Sequence, residues 1–212
     1  MDIIPAILTN NPQEACRLVS KADRVVKRLH VDIVDGVFAN NKTIDPSVFN
    51  GLEHNLLLDF HLMVDEPVNW VEKCVRAGGD RIIGQVEMMT DIGQFIRNVT
   101  EAGVYPGLAF DIGTSVEAIE KKFLLDCNII LVMGVPAGFG GQKFHDAAKP
   151  KVERLIKIRS TDESPYKIAL DGGITPSLAG TLSQLGADEL VIGTRIFDGN
   201  LEKNIKAYKE AT

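Results

Sequence analysis

Four side chains in this sequence can do metal or proton-transfer chemistry, and each falls where an apolar residue is expected. His30 and Asp32 lie in HVDIVDG (30–36), His61 in DFHLM (59–63) and Asp171 in ALDGGI (169–174). Side chains alternate along a strand, so His30 and Asp32 share one face while Val31 and Ile33 take the other. Burying an imidazole and a carboxylate without partners is costly. Either they pair with other side chains, or they hold something. Two imidazoles and two carboxylates at matching heights suit one divalent cation, with zinc first and iron(II), manganese(II) or cobalt(II) as alternatives.

The elements that must position these groups follow from periodicity. Strands are expected at 3–7, 29–34, 56–62, 81–86, 105–110, 128–134, 166–171 and 189–193, with amphipathic helical runs between them such as 12–22, 67–78 and 114–124. Glycines in AGG (77–79), EAG (101–103) and LGAD (185–188) supply helix ends. Eight alternating strand–helix units predict an α/β fold of the (β/α)8 TIM-barrel type, in one domain over residues 1–212. A doubly wound open sheet competes, but no GxGxxG opens the first helix. In a barrel, chemistry gathers at the C-terminal strand ends, where the four groups fall.

A second set of residues is glycine-rich. Gly138, Phe139, Gly140 and Gly141 follow strand 6, Gly172 and Gly173 follow strand 7, and Gly193 and Thr194 follow strand 8. Any one of these reads as an ordinary turn. Three adjacent loops of this kind suit a phosphate, because glycine lets backbone N–H groups approach an anion closely. Asp35 reads as a turn residue bonding nearby backbone. Asp59 faces the same way as His61 but deeper, where it either orients a ligand or satisfies buried backbone. His54 and His145 read as surface residues, and Trp70 as core.

Composition limits the partners. A net charge of −6 with no basic block argues against nucleic acid. Cys16, Cys74 and Cys127 are scattered and form no CxxC, which fits a reducing compartment. No apolar run is long enough to span a membrane. The start, MDIIPAILTNN, reads as a first strand and not a signal peptide. The expectation is a cytoplasmic protein that binds a small molecule.

HVDIVDG, DFHLM, VMGVPAGFGGQKF and ALDGGI, in this order and spacing, resemble the ribulose-phosphate 3-epimerase family over nearly the whole chain. The resemblance implies that His30, Asp32, His61 and Asp171 hold one divalent metal ion and that Asp32 and Asp171 are the catalytic acid/base pair. It implies that Gly138 to Gly141, Gly172, Gly173, Gly193 and Thr194 bind the phosphate of a sugar phosphate. It also implies that Met63 and Met133 line the reaction site, and that the protein is a homo-oligomer. The chain departs from the family at several pocket positions. Ala6 replaces a serine that would face substrate, Val34 and Val37 replace a methionine and a histidine, and Gln85 replaces a histidine before Val86-Glu87.

These residues lead to metal-dependent epimerisation at C3 of a ketose phosphate, with a proton taken from one face and returned to the other. D-ribulose 5-phosphate giving D-xylulose 5-phosphate is the default. Alternatives are a six-carbon substrate of the allulose 6-phosphate type and a non-catalytic phosphosugar-binding barrel. A decarboxylating barrel is disfavoured, because no strand end carries Asp-x-Lys.

Overall fold

A computed structural model describes residues 1–159 and 166–212. In chain order its elements are β1 (Asp2–Ile7), α1 (Pro12–Ala22), β2 (Arg28–Val34), β3 (Leu57–Met63), α2 (Val71–Arg76), β4 (Gly79–Gln85) and α3 (Ile92–Glu101). Then come β5 (Tyr105–Phe110), α4 (Lys121–Leu125), β6 (Ile129–Met133), α5 (Ala148–Arg159), β7 (Lys167–Asp171), α6 (Pro176–Leu185), β8 (Glu189–Ile192) and α7 (Leu201–Ala211). Each strand pairs in parallel with the next, and β8 returns to β1, closing the barrel.

Alternation along the strands builds two cores. Outward residues such as Val31, Ile33, Phe60, Leu62, Val132 and Leu170 pack against the helices. Inward residues such as Ile4, Ala6, Met63, Ile83, Leu131 and Ala169 fill the barrel itself. Both faces of each strand are thus buried, as a parallel sheet requires. The helices supply one apolar stripe each. In α1, Ala15, Leu18, Val19 and Ala22 are buried, and Asn11 caps the start by accepting from Glu14 N at 3.1 Å.

Three expectations change. After β2 there is no α-helix, only a 3-10 turn at Pro46–Phe49 capped by Asp45. The preceding stretch is rich in Gly, Asn and Asp, which favour turns over helix. The run 114–124 is not one helix: Ile119 and Glu120 take extended ψ angles of 132° and 135°, splitting a 3-10 turn at Val116–Ala118 from α4. The run 67–78 likewise begins as a 3-10 turn at Pro67–Trp70 before α2. Trp70 packs on the outer core as expected, with Lys73 Nζ 4.6 Å above its ring.

The N-terminal end of the barrel is plugged by charge. Arg81 is fully buried and donates from Nε to Asp59 Oδ1 at 2.9 Å and from Nη2 to Glu189 Oε2 at 2.7 Å. Burial opposes its charge, but the Asp59 and Glu189 carboxylates outweigh that and raise its pKa. Lys167 Nζ adds a bond to Glu189 at 2.7 Å, and Arg28 pairs with both Asp59 and Asp80. Asp59 therefore neither orients a ligand nor serves backbone; it neutralises a guanidinium. Gly107 makes room in this interior, since a Cβ there would lie 2.6 Å from Ile129 Cγ2.

Replacing Arg81 by Met would leave the buried Asp59 and Glu189 with only the marginal cations Arg28 and Lys167. Urea denaturation is expected to show a loss of about 3–5 kcal/mol. A loss below about 1 kcal/mol, the scale of an exposed pair, would mean that the network is solvated.

Candidate active site and metal centre

Closure brings the four predicted groups together at the C-terminal end of the barrel. Register places Asp32 beside His61, and β8 and β1 stand between β7 and β2 around the ring. Each of His30, Asp32, His61 and Asp171 offers one donor atom, and these atoms lie within 4.8 Å of one another. All four residues are buried. His61 Nδ1 is 2.9 Å from Asp32 Oδ1. His30 Nε2 is 3.4 Å from the same oxygen, yet neither ring nitrogen of His30 makes a hydrogen bond.

An open imidazole that deep is costly without a partner. No lysine or arginine pairs with Asp32 or Asp171 among the described residues. The donor set and the orphaned nitrogens fit a divalent metal ion, which the four residues could hold.

The two carboxyls differ in proton affinity. Burial alone would raise Asp32, but His30 and His61 outweigh it and hold its carboxyl far below the usual range. Burial, with the charge of Asp32 nearby, pushes Asp171 up to about 7. Burial lowers His61, whereas His30 is raised because the Asp32, Asp171 and Asp59 carboxylates outweigh its desolvation. Below about pH 7 one carboxylate is thus ionised and its neighbour protonated, the arrangement that separates a base from an acid.

A cavity of about 940 Å³ opens above this cluster, lined by Asp32, Asp171, Met63 and Met133. The predicted glycine positions Gly138, Phe139, Gly140, Gly141, Gly172, Gly173 and Gly193 line it too. The side chain of Thr194 lies outside the described residues; its backbone opens the 3-10 turn after Gly193. Gly173 has φ +69°, and a Cβ there would overlap the Phe144 backbone nitrogen, so no other residue fits without shifting the loop. The loop after β6 is braced by Asn41 Nδ2 donating to Gly138 O at 2.7 Å and Ala137 N donating to Asp111 Oδ1 at 2.9 Å.

The family model described as the ribulose-phosphate 3 epimerase family matches residues 2–197. This chain belongs to the ribulose-phosphate 3-epimerase family. A ribulose-phosphate 3-epimerase of Chlamydia pneumoniae is 34% identical over 177 residues, covering 81% of this chain and 76% of that protein. One of Bacillus subtilis is 33% identical over 174 residues, covering 80% and 79%. Among solved structures, 3-keto-L-gulonate-6-phosphate decarboxylase from Vibrio cholerae superposes with a TM-score of 0.71 at 12% identity, covering 99% of this chain and 96% of that one. That likeness speaks for the barrel alone. Family membership makes this chain an isomerase of the epimerase type.

Placed in this family's frame, most predicted residues converge and one does not. Ala6 is buried beneath the cavity and is not part of its lining; it sits beside His30 in the strand register. An inward position on β1 two residues short of the rim cannot reach the opening, whereas Leu8 does. Asp35 is structural as expected, accepting from Val37 N and Phe38 N at 2.7 and 3.1 Å and from Asp65 N at 2.7 Å. His145 is exposed and His54 half-buried. Sequence reasoning missed Arg195 and Tyr208, which line the cavity from the turn after β8 and from α7. Arg195 follows Gly193-Thr194 directly, so extending that motif by one residue would have found it. Tyr208 carries no local signal. No helix is long and apolar enough to cross a membrane among the described residues.

Asp171 holds a proton below about 7 in the metal-free chain, and a cation must displace it. Zinc affinity, read by chelator competition, is expected to weaken at least about tenfold per pH unit below that point and to level off above it. Because the folded value is raised, Asp171 stabilises the metal-free chain in acid, and that contribution is lost as pH rises through about 7. A flat affinity profile across neutral pH would remove Asp171 from the ligand set.

Proposed function

We propose that this chain interconverts D-ribulose 5-phosphate and D-xylulose 5-phosphate, with Asp32 and Asp171 as the acid/base pair. His30, Asp32, His61 and Asp171 would hold one divalent cation, zinc first. The observation that carries this reading is the pair of buried carboxyls of opposite proton affinity, both among donor atoms clustered within 4.8 Å. In one direction the ionised aspartate removes the proton from C3. The protonated aspartate then delivers a proton to the opposite face, and the roles exchange for the reverse reaction.

A carboxylate is a weak base, with a free pKa near 4. Positioning alone does not close the gap to a carbon acid next to a ketone. A divalent cation at the site supplies Lewis-acid stabilisation of the charge that develops on the substrate oxygens, typically several kcal/mol. The chain's own part is to hold the geometry. Met63 and Met133 offer non-titrating surface beside the reacting carbon, so neither competes for the proton. The glycine loops, from Gly138 to Gly141, at Gly172 and Gly173, and at Gly193 and Thr194, anchor the phosphate at the far end and fix C3 between the aspartates. A cytoplasmic homo-oligomer, acting as one barrel domain, is the assembly that the family resemblance supports.

Asp32→Asn and Asp171→Asn are each expected to lose about 10²–10⁴-fold in kcat. The readout is exchange of the C3 proton in deuterated water. D-Ribulose lacking the phosphate is expected to lose kcat as well as affinity, because anchoring energy is spent on positioning. A panel of ketose phosphates checks the substrate. Faster turnover of a six-carbon ketose phosphate than of D-ribulose 5-phosphate would replace the substrate assignment. Absence of C3 exchange with every member would end the epimerase reading.

A further inference from the structure

We propose that Gln85 and Glu87 are positioning residues that set the tautomer of His61 and so turn its Nδ1 lone pair toward the cation position. This rests on the reading of the four-residue cluster as a cation site. An imidazole ligand needs an unprotonated nitrogen on the metal side, and the partner of its other nitrogen decides which nitrogen that is. His61 Nδ1 faces Asp32 Oδ1 at 2.9 Å, and its Nε2 lies 3.2 Å from the Gln85 amide.

Gln85 is fully buried at the end of β4, so its amide must match its neighbours. Only one orientation does. With the oxygen toward His61, it accepts from Nε2 at 3.2 Å, while the nitrogen donates to Glu87 Oε2 at 2.7 Å and to Ala109 O at 3.2 Å. The opposite orientation sets the amide oxygen against two acceptors, with no donor for it. Glu87 is itself held, since its Oε1 accepts from Asp111 N at 2.8 Å.

The chain of bonds therefore runs from Asp111 N–H to Glu87, from Gln85 N–H to Glu87, and from His61 Nε2–H to the Gln85 oxygen. Its consequence is a pull of the single His61 proton to Nε2, opposing the pull of Asp32 on Nδ1 at 2.9 Å, which leaves the Nδ1 lone pair for the cation. Without the Gln85 acceptor, the proton is free to move to Nδ1 and bond to Asp32, which blocks the ligand atom. Strands β3, β4 and β5 thus cooperate to present one lone pair. Gln85 occupies the place of a histidine in the family pattern, and both side chains can accept at one atom and donate at another.

The test uses the full chain, with zinc ions as the probe. Nitrogen-15 NMR of the metal-free protein is expected to show the His61 proton on Nε2 in the wild type and on Nδ1 in Gln85→Leu. Zinc affinity by chelator competition should fall about 10–100-fold in Gln85→Leu and stay within about threefold of wild type in Gln85→His. Glu87→Leu should shift the tautomer in the same direction as Gln85→Leu. A wild-type His61 with its proton on Nδ1 overturns the proposal, even if Gln85→Leu does not fold. So does a folded Gln85→Leu whose zinc affinity lies within about twofold of wild type. A wild type that binds no zinc instead removes the metal reading, while the metal-free tautomer still reports on Gln85 and Glu87.

Discussion

A closed barrel leaves its inner face cut off from bulk water, so each charge there needs an opposite charge within reach. This protein answers that constraint differently at its two ends. At the N-terminal end Arg81 lies between Asp59 and Glu189, with Arg28 and Lys167 at the margin. At the C-terminal end the charged or titratable groups that act on Asp32 and Asp171, among the described residues, are the imidazoles and each other. The first cluster is complete within the chain. The second is not, and its donor set could hold a cation. Site and plug are built from the same inward rows, in which His30 and Asp32 lie above Arg28 on β2, and His61 lies above Asp59 on β3.

The incomplete cluster also divides its two carboxyls. Asp32 is held ionised because both imidazoles address it, while Asp171 takes the burden of burial and of its charged neighbour. The asymmetry comes from position. Asp32 shares its strand with His30 and its register row with His61, whereas β7 contributes no second polar side chain to the site. A base and an acid are thus made from the same residue type by placement alone.

The loops complete the mouth of the barrel. Because no α-helix follows β2, residues 35–45 are available to fold across the opening, where Asn41 grips the carbonyl of Gly138. Thr43 returns to the strand, accepting from Val34 N and donating to Asp32 O, both at 2.9 Å. The segment that carries two of the four site residues is thereby tied to the glycine loop on the far side. The glycine loop and the two aspartates share one braced rim.

Much of this was legible in the amino-acid sequence, for a local reason. A strand's period of two is a property of its own backbone, so HVDIVDG alone determined that His30 and Asp32 share a face and that Val31 and Ile33 oppose them. The same periodicity, with turn glycines, marked the eight strands and α1. What tertiary structure decided was partnership across the ring. Arg81 and Glu189 are 108 residues apart, and only barrel closure makes them a pair. Asp59 read either as a support for the metal site or as a partner for buried backbone until register placed it beside Arg81. The role of Gln85 depended on His61 from one neighbouring strand and on Ala109 from the other. Local chemistry writes which side a residue faces; what stands across from it depends on how the whole sheet closes.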